Sequence, residues 1–292
     1  GKMSTCLSQL YHENKRGIKA GYAKFETFPI WNLPLKHPVN IAYEAATADL
    51  NDVNEIDPFH MEAYNQVAIS YNRDVEIFPV LTSIFDGIYG TCPYKSPTDM
   101  GVNMIGKCIS DDEVCREAAK QEIIRRYYTA VNKMALGAMN DTEVNKIRLL
   151  MQQAHISTDD RTTTVAAKKR AKDTNEECSA IQLNDGTMIT AGSSVLLGTC
   201  ASLLLNALKH LAGIDHSVKL ISQDFIEPIQ KTKVDYLGGN NPRLHMDEVL
   251  VALSVLSLND SNCRRALAML PELKGLQAHA TVMLSQVDQK IL

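Results

Sequence analysis

Residues 178–212 read CSAIQLNDGTMITAGSSVLLGTCASLLLNALKHLA. Ile181 and Leu183 alternate with polar neighbours, Asp185-Gly186 follows, and Thr187 and Ile189 resume the alternation. Period two on both sides of Asp-Gly predicts a β-hairpin with a type I′ turn. Gly192-Ser193-Ser194 then caps a helix from Val195 to Ala212. Its leucines recur nearly all round, which marks a helix buried within a layer. Hairpin and buried helix together place the chain in the α/β class. Downstream, Gly213 stops the helix and Val218 to Ile221 reads as a short strand. A helix runs around Pro228, and Gly238-Gly239-Asn240-Asn241-Pro242 breaks the chain. Helices over Met246 to Leu256 and Ser261 to Leu270 precede a strand from Gln277 to Leu284. Helix, Gly, His, strand and Ser recur twice here, as two αβ units in a mixed or parallel sheet.

Upstream lie three helical patterns, 111–136, 140–154 and 158–172, the first two opened by Ser110 with Glu113 and by Asn140 with Glu143. The first carries a wide apolar stripe and so packs on at least one neighbour. Before them, residues 91–106 are rich in proline and glycine and form a boundary. The opening region holds a helix ending at Gly17 and a strand from Tyr22 to Phe28. A helix entered at Pro38 keeps Glu44 off its apolar face, and a polar loop covers 51–58. Further helices cover Met61 to Tyr71 and, capped by Asp74, Val75 to Ile88. The predicted divisions are 1–90, α/β; 91–176, helical; and 177–292, a three-layer α/β subdomain.

The 292 residues are 45% hydrophobic and 22% charged, with a net charge of −4. That balance argues against a nucleic-acid partner, and Lys168-Lys169-Arg170 is a short solvated run. Seven cysteines without CxxC spacing read as reduced thiols. With no bilayer-length apolar run and no signal-peptide pattern, the expectation is a soluble cytoplasmic protein without a membrane partner.

Potential chemistry is densest between Gly21 and His60, which includes the only tryptophan, Trp31. Asp49, Asp57 and His60 are candidate base or metal-contacting residues, with a turn and helix cap as the alternative for Asp57-Pro58. Glu26 and Asp99 are candidate substrate contacts, and Asp99 can equally cap a turn. Arg243 and His245, after the Gly/Asn break, can grip an anion or serve as a salt bridge and helix start. No metal ligand set is assigned. Gly1-Lys2-Met3-Ser4-Thr5 matches the end of a phosphate loop, in which glycine admits phosphate, lysine meets its charge and a hydroxyl reaches phosphate or Mg²⁺. Met3 departs from the strict pattern, so either Ser4 or Thr5 takes the hydroxyl role.

Longer motifs carry a resemblance. Cys6-Leu-Ser-Gln-Leu-Tyr-His, Gly21-Tyr-Ala-Lys-Phe-Glu-Thr-Phe-Pro, His37-Pro-Val-Asn, Tyr43-Glu-Ala-Ala-Thr-Ala-Asp-Leu, Asp57-Pro-Phe-His, Ser96 to Met104 and Asn241-Pro-Arg-Leu-His resemble the bacterial domain-of-unknown-function family 1846, also called uncharacterised protein family 0371. The resemblance implies a preceding α/β segment that ends in a glycine-rich turn, with Gly1-Lys2 as its last two residues. It also implies a further stretch after Leu292. On that reading the chain is a C-terminal fragment: the remainder of a P-loop-like α/β domain, a helical insert and a smaller α/β domain. The expected activity is a nucleotide- or phosphate-dependent phosphotransferase or ligase of a small metabolite. ATP or another phosphate ligand with Mg²⁺ would be held by Gly1, Lys2, Ser4 and Thr5. Two alternatives are a non-catalytic oligomeric nucleotide sensor, with the striped helix as its homo-oligomer face, and a metal-dependent hydrolase.

Overall fold

A computed structural model describes residues 1–103 and 105–292. Met104, the last residue of one family motif, lies outside the described residues. The chain forms two compact units, Gly1–Asp160 and Arg161–Leu292.

In the first unit, α1 (Lys2–Lys15) ends in a complete Schellman motif. Gly17 has φ of +76°, its amide bonds Asn14 O, and the Ile18 amide bonds Glu13 O. β1 (Lys24–Phe25) is shorter than the strand predicted over 22–28. Pro38 opens α2 (Pro38–Ala46), with His37 as its N-cap. The supposed loop 51–58 contains β2 (Asn54–Ile56). The supposed helix 61–71 is divided: α3 (Pro58–Tyr64) stops at Asn65, in the left-handed region, and β3 (Ile69–Tyr71) follows. α4 (Asn72–Tyr89), α5 (Pro97–Met100), β4 (Gly101–Val102), α6 (Asp112–Ala135) and α7 (Asp141–Gln153) complete the unit. The cap of α6 is Asp111, which accepts from the Val114 amide, rather than Ser110.

β1 pairs in parallel with β4, and β2 pairs antiparallel with β3. These two-stranded pairs are the only sheets of the first unit among the described residues. One core joins α2, α6 and α7 through Ile41, Ala45, Ile123, Ile124, Ile147 and Met151. The middle of the α6 stripe is thereby covered within the unit, while Val114 and Met134 at its ends are exposed. A second core joins α1 and α4 through Leu10, Phe78, Leu81 and Phe85, with Met100 of α5. The buried side of α2 is Asn40, Ile41, Glu44 and Ala45. Glu44 is therefore inside, contrary to its expected position, and its carboxylate accepts from the Asn54 amide at 3.1 Å.

The second unit contains α8 (Thr162–Thr174), β5 (Cys178–Gln182), β6 (Met188–Gly192), α9 (Thr199–Leu211), α10 (Gln223–Asp235), α11 (Met246–Leu256), α12 (Ser261–Ala268), β7 (Gln277–Ala280) and α13 (Gln286–Ile291). The helical stretch expected over 91–176 is thus divided, α6 and α7 in the first unit and α8 in the second. The sheet order is β6-β5-β7 and every pairing is antiparallel. This corrects the parallel or mixed expectation: residues 218–221 form no strand, so the first αβ unit does not exist. The hairpin is present with a different turn. The Gly186 amide bonds Leu183 O, and Gly186 alone has positive φ. A type I′ turn needs positive φ at both central residues; here a type I turn is followed by a left-handed glycine. Alternation along β5 sends Ser179 and Ile181 toward α9 and Cys178 toward Thr174 of α8. Behind α9 a larger core gathers Leu204, Leu208, Ile226, Leu244, Val249 and Leu253.

Candidate functional site

The four residues of α5 are the hub of the first unit's polar groups. Ser96 caps α5 and accepts from the Asp99 amide at 3.2 Å, while Asp99 accepts from the amides of Ser96 and Lys95. On one side, Asp57 accepts from the His60 amide (3.0 Å), the Thr98 amide (3.2 Å) and the Thr98 hydroxyl (2.7 Å). Asp57 is fully buried and its oxygens are occupied, so it acts as the cap of α3 and its tie to α5. His60 Nδ1 lies 3.0 Å from Ser96 Oγ and 3.9 Å from Asp99 Oδ1, with the Tyr64 ring 4.7 Å away. Tyr64 donates its hydroxyl to Asp99 at 2.9 Å. The structure therefore brings Asp57, His60 and Asp99 together, the first as scaffold.

On the other side, β1 places Lys24 and Glu26 against α4. Lys24 Nζ lies 2.7 Å from Glu26 Oε1 and 2.6 Å from Asp74 Oδ2, and it also donates to the Tyr71 hydroxyl. Asp74 is Lys24's partner instead of the expected helix cap. Burial pushes the Glu26 carboxyl up to about 7; the Lys24 hydrogen bond pulls the other way and Asp74 adds to the rise. Burial would lower Lys24, but its bonds to Asp74, Glu26 and Tyr71 outweigh it, and the ammonium is held above its ordinary value. One ammonium thus faces two carboxyls, and a proton on Glu26 makes the trio neutral. Gly101 sits close against this group: a Cβ there would stand 2.9 Å from Glu26 Oε2. Met3, Tyr22, Lys24, Asp74, Pro97 and Met100 enclose a cavity of about 10 Å³ beside the trio.

That cavity ties the trio to α1. The first turn of α1 carries no acid. Lys2, Ser4 and Thr5 are exposed. The expected phosphate loop would set Lys2 and the first amides of α1 against an anion. Met3 departs from it by turning inward, and the Thr5 hydroxyl faces the Gly1 carbonyl at 3.4 Å. Ser4 is the freer hydroxyl. Asp49 sits apart, exposed on a short 3₁₀ turn.

His37 and Asp52, which the sequence places among the potentially chemical residues of Gly21–His60, and Tyr43 take partners elsewhere. Asp52 is buried and held by Arg73, with Nε to Oδ1 at 2.8 Å. Tyr43, pushed up to about 12 chiefly by burial, donates to Asp52 at 3.4 Å and stacks on Phe28 with centroids 5.7 Å apart. His37 receives the Val39 amide on Nδ1, so its Nε2 donates to Asp112 at 2.9 Å. Among the described residues no three His, Cys, Asp or Glu side chains gather to hold a metal ion.

Arg243 and His245 lie in the second unit. Arg243 faces Glu177 at 3.6 Å, and His245 Nδ1 lies 2.8 Å from Asp288 Oδ2. This unit also has an apolar cavity of about 410 Å³, lined by Leu203, Leu204, Met246, Leu250 and Leu273 among others, with Lys274 the charged side chain on its wall.

Residues 1–155 match the N-terminal domain of unknown function DUF1846, and residues 159–292 match its C-terminal domain. The chain belongs to the DUF1846 family. With both family domains matched, the expectation of a C-terminal fragment is not borne out at the level of family domains. UPF0371 protein cu0538 of Corynebacterium urealyticum is 57% identical over 291 residues. UPF0371 protein DIP2346 of Corynebacterium diphtheriae is 54% identical over 291 residues, and UPF0371 protein str1377 of Streptococcus thermophilus is 52% identical over 292. Each alignment covers 100% of this chain and 59% of the relative. The boundary between the two family domains falls beside the division between the two units. Among the described residues no helix is long and apolar enough to cross a membrane.

Proposed function

We propose that this DUF1846 chain is the phosphate-handling part of a cytoplasmic enzyme, an ATP-dependent phosphotransferase or ligase of a small acidic metabolite. The observation that carries the reading is Glu26. Its carboxyl is poised at about 7 inside the Lys24–Asp74–Tyr71 group, beside the first turn of α1. A group that moves protons in a reaction works best with a pKa near the working pH, and carboxyls displaced this far gather at functional sites. Lys2 and the first amides of α1 would hold the phosphates, and the Ser4 hydroxyl would reach phosphate or Mg²⁺. ATP bound there would supply the transferable phosphoryl group. Lys24 would hold Glu26 in place, and Glu26 would take the proton from the metabolite's attacking oxygen or nitrogen. Support for a reducing compartment comes from the seven cysteines, all free thiols.

Calorimetry with ATP and Mg²⁺ tests the binding half. Lys2→Ala is expected to weaken binding about tenfold or more, as loss of a phosphate-contacting ammonium does. Glu26→Gln is expected to leave binding intact and to abolish turnover of ATP. No ATP heat in the unsubstituted chain, or a Lys2→Ala variant that binds as well, ends the proposal. ATP bound without turnover, in a chain that Glu26→Gln does not change, would instead favour the nucleotide-sensing alternative. Of the oligomer face assigned to that alternative, the middle packs on α2 and α7, and the ends at Val114 and Met134 are exposed.

A further inference from the structure

The second unit presents an acid–base pair that the reading of the first unit does not use. Residues 243–245 run extended: the Leu244 amide bonds Leu196 O, and the Gly198 amide bonds Leu244 O. Alternate side chains of an extended segment face the same way. Leu244 is fully buried, so Arg243 and His245 project together from the opposite face, both partly exposed.

The contacts of Asp288 decide where the proton on His245 sits. Asp288 is buried; its Oδ1 accepts from the Met246 amide at 3.2 Å, and its Oδ2 accepts from the Ser285 hydroxyl at 3.0 Å. Ser285 Oγ in turn accepts from the Asp288 amide at 3.1 Å. Asp288 is therefore an acceptor on both oxygens, and His245 Nδ1, 2.8 Å from Oδ2, must be the donor. The Nδ1 proton leaves the lone pair of a neutral ring on Nε2, on a side chain that is 27% exposed. A carboxylate that only braced α13 against α11 would need the Met246 amide and Ser285; the His245 contact adds an oriented base. Beside it, the Arg243 guanidinium faces Glu177 at 3.6 Å, beyond hydrogen-bond length, with 39% of its side chain exposed.

We propose that Arg243, His245 and Asp288 form a second site, which binds a small molecule bearing an oxyanion and moves a proton at His245 Nε2. Arg243 grips the oxyanion with paired N–H donors. An adjacent O–H or N–H of the bound molecule gives its proton to Nε2 and keeps the bonding electron pair. Asp288 balances the imidazolium charge and holds the ring in place. The site is complete within the second unit and does not depend on phosphate binding at α1.

Nitrogen-detected NMR of the imidazoles in the full chain tests this, with His245→Gln identifying the signals. The expected result is the Nδ1–H tautomer at His245, displaced by titration with inorganic phosphate or with acetate. Response to phosphate alone assigns a phosphate ester, and response to acetate alone or more strongly assigns a carboxylate. Arg243→Ala is expected to weaken the response about tenfold, and Arg243→Lys to restore part of it. Asp288→Asn is expected to remove the tautomer preference; should that variant not fold, the titrations of the unsubstituted chain decide alone. An Nε2–H tautomer, no response to either anion, or an Arg243→Ala response equal to the original overturns the proposal.

Discussion

Replacing Glu26 by glutamine separates a carboxyl poised for proton transfer from one that merely neutralises Lys24. In the folded chain Glu26 keeps its proton up to about 7, whereas its ordinary value is 4.5. Between those values the folded state binds more protons than the unfolded state. Stability from this group is therefore fully present below 4.5 and is lost as pH rises through about 7. At about 1.36 kcal/mol per pH unit, the window sets a ceiling of roughly 3 kcal/mol. The side chain keeps 16% of its surface in solvent, and the Lys24 ammonium stays within reach of the ionised form. Both soften the effect, to about 1–2 kcal/mol. The glutamine in Glu26→Gln has no proton to lose, while Lys24 retains Asp74 and Tyr71 throughout the window, so the difference between the two proteins isolates the carboxyl. Trp31, the only tryptophan, lies in the first unit with its indole N–H on Asn103 O at 2.6 Å. Its fluorescence during urea unfolding at pH 4.5 to 8 therefore reports this unit. The stability of the unsubstituted chain relative to Glu26→Gln should fall across that range. A flat difference, or one that grows with pH, would show Glu26 ionised well below neutrality and remove it as the proton-transfer group.

Asp57→Ala leaves the amides of His60 and Thr98 without their acceptor and should cost about 2–4 kcal/mol by the same fluorescence, with Asp57→Asn recovering part. His279 is pulled down to about 4 by burial and by the charges of Arg161 and Lys168. The unfolded state therefore binds its proton first, and stability is lost as pH falls from 6.5 toward 4. The ring proton signals of His279 should remain those of neutral imidazole at pH 5, and His279→Asn should reduce the acid slope of thermal unfolding by about 1–2 kcal/mol. Leu208→Ala empties a fully buried position of the core behind α9 and should cost about 3 kcal/mol in denaturant unfolding followed by circular dichroism.

Sequence signals succeeded where the cause and the effect are neighbours. Gly17 ends α1 because the backbone there turns left-handed, and Pro38 opens α2 because the first helical amide needs no partner. They failed where burial was paired with polarity. The inner side of α2 contains Asn40 and Glu44, made tolerable inside by Ile30 and Asn54 as hydrogen-bond partners, so no apolar period displays it. β2 reads as an acidic loop because its one partner, β3, is itself only three residues long.

The same division runs through the candidate sites. Gly21–His60 contains one half of each first-unit contact: Lys24 and Glu26 of the trio, and Asp57 and His60 of the capped cluster. The other half comes from Tyr71, Asp74 and residues 96–101, delivered by a parallel pairing of Lys24 with Gly101 and Phe25 with Val102. Two residues of parallel pairing leave no period to read. In the second unit Arg243 and His245 were visible from their local setting, but Asp288, which turns the histidine into an oriented base, lies 43 positions away. A lone sequence displays the groups able to do chemistry. Which of them becomes scaffold, as Asp57 does, is decided by partners that only the fold supplies.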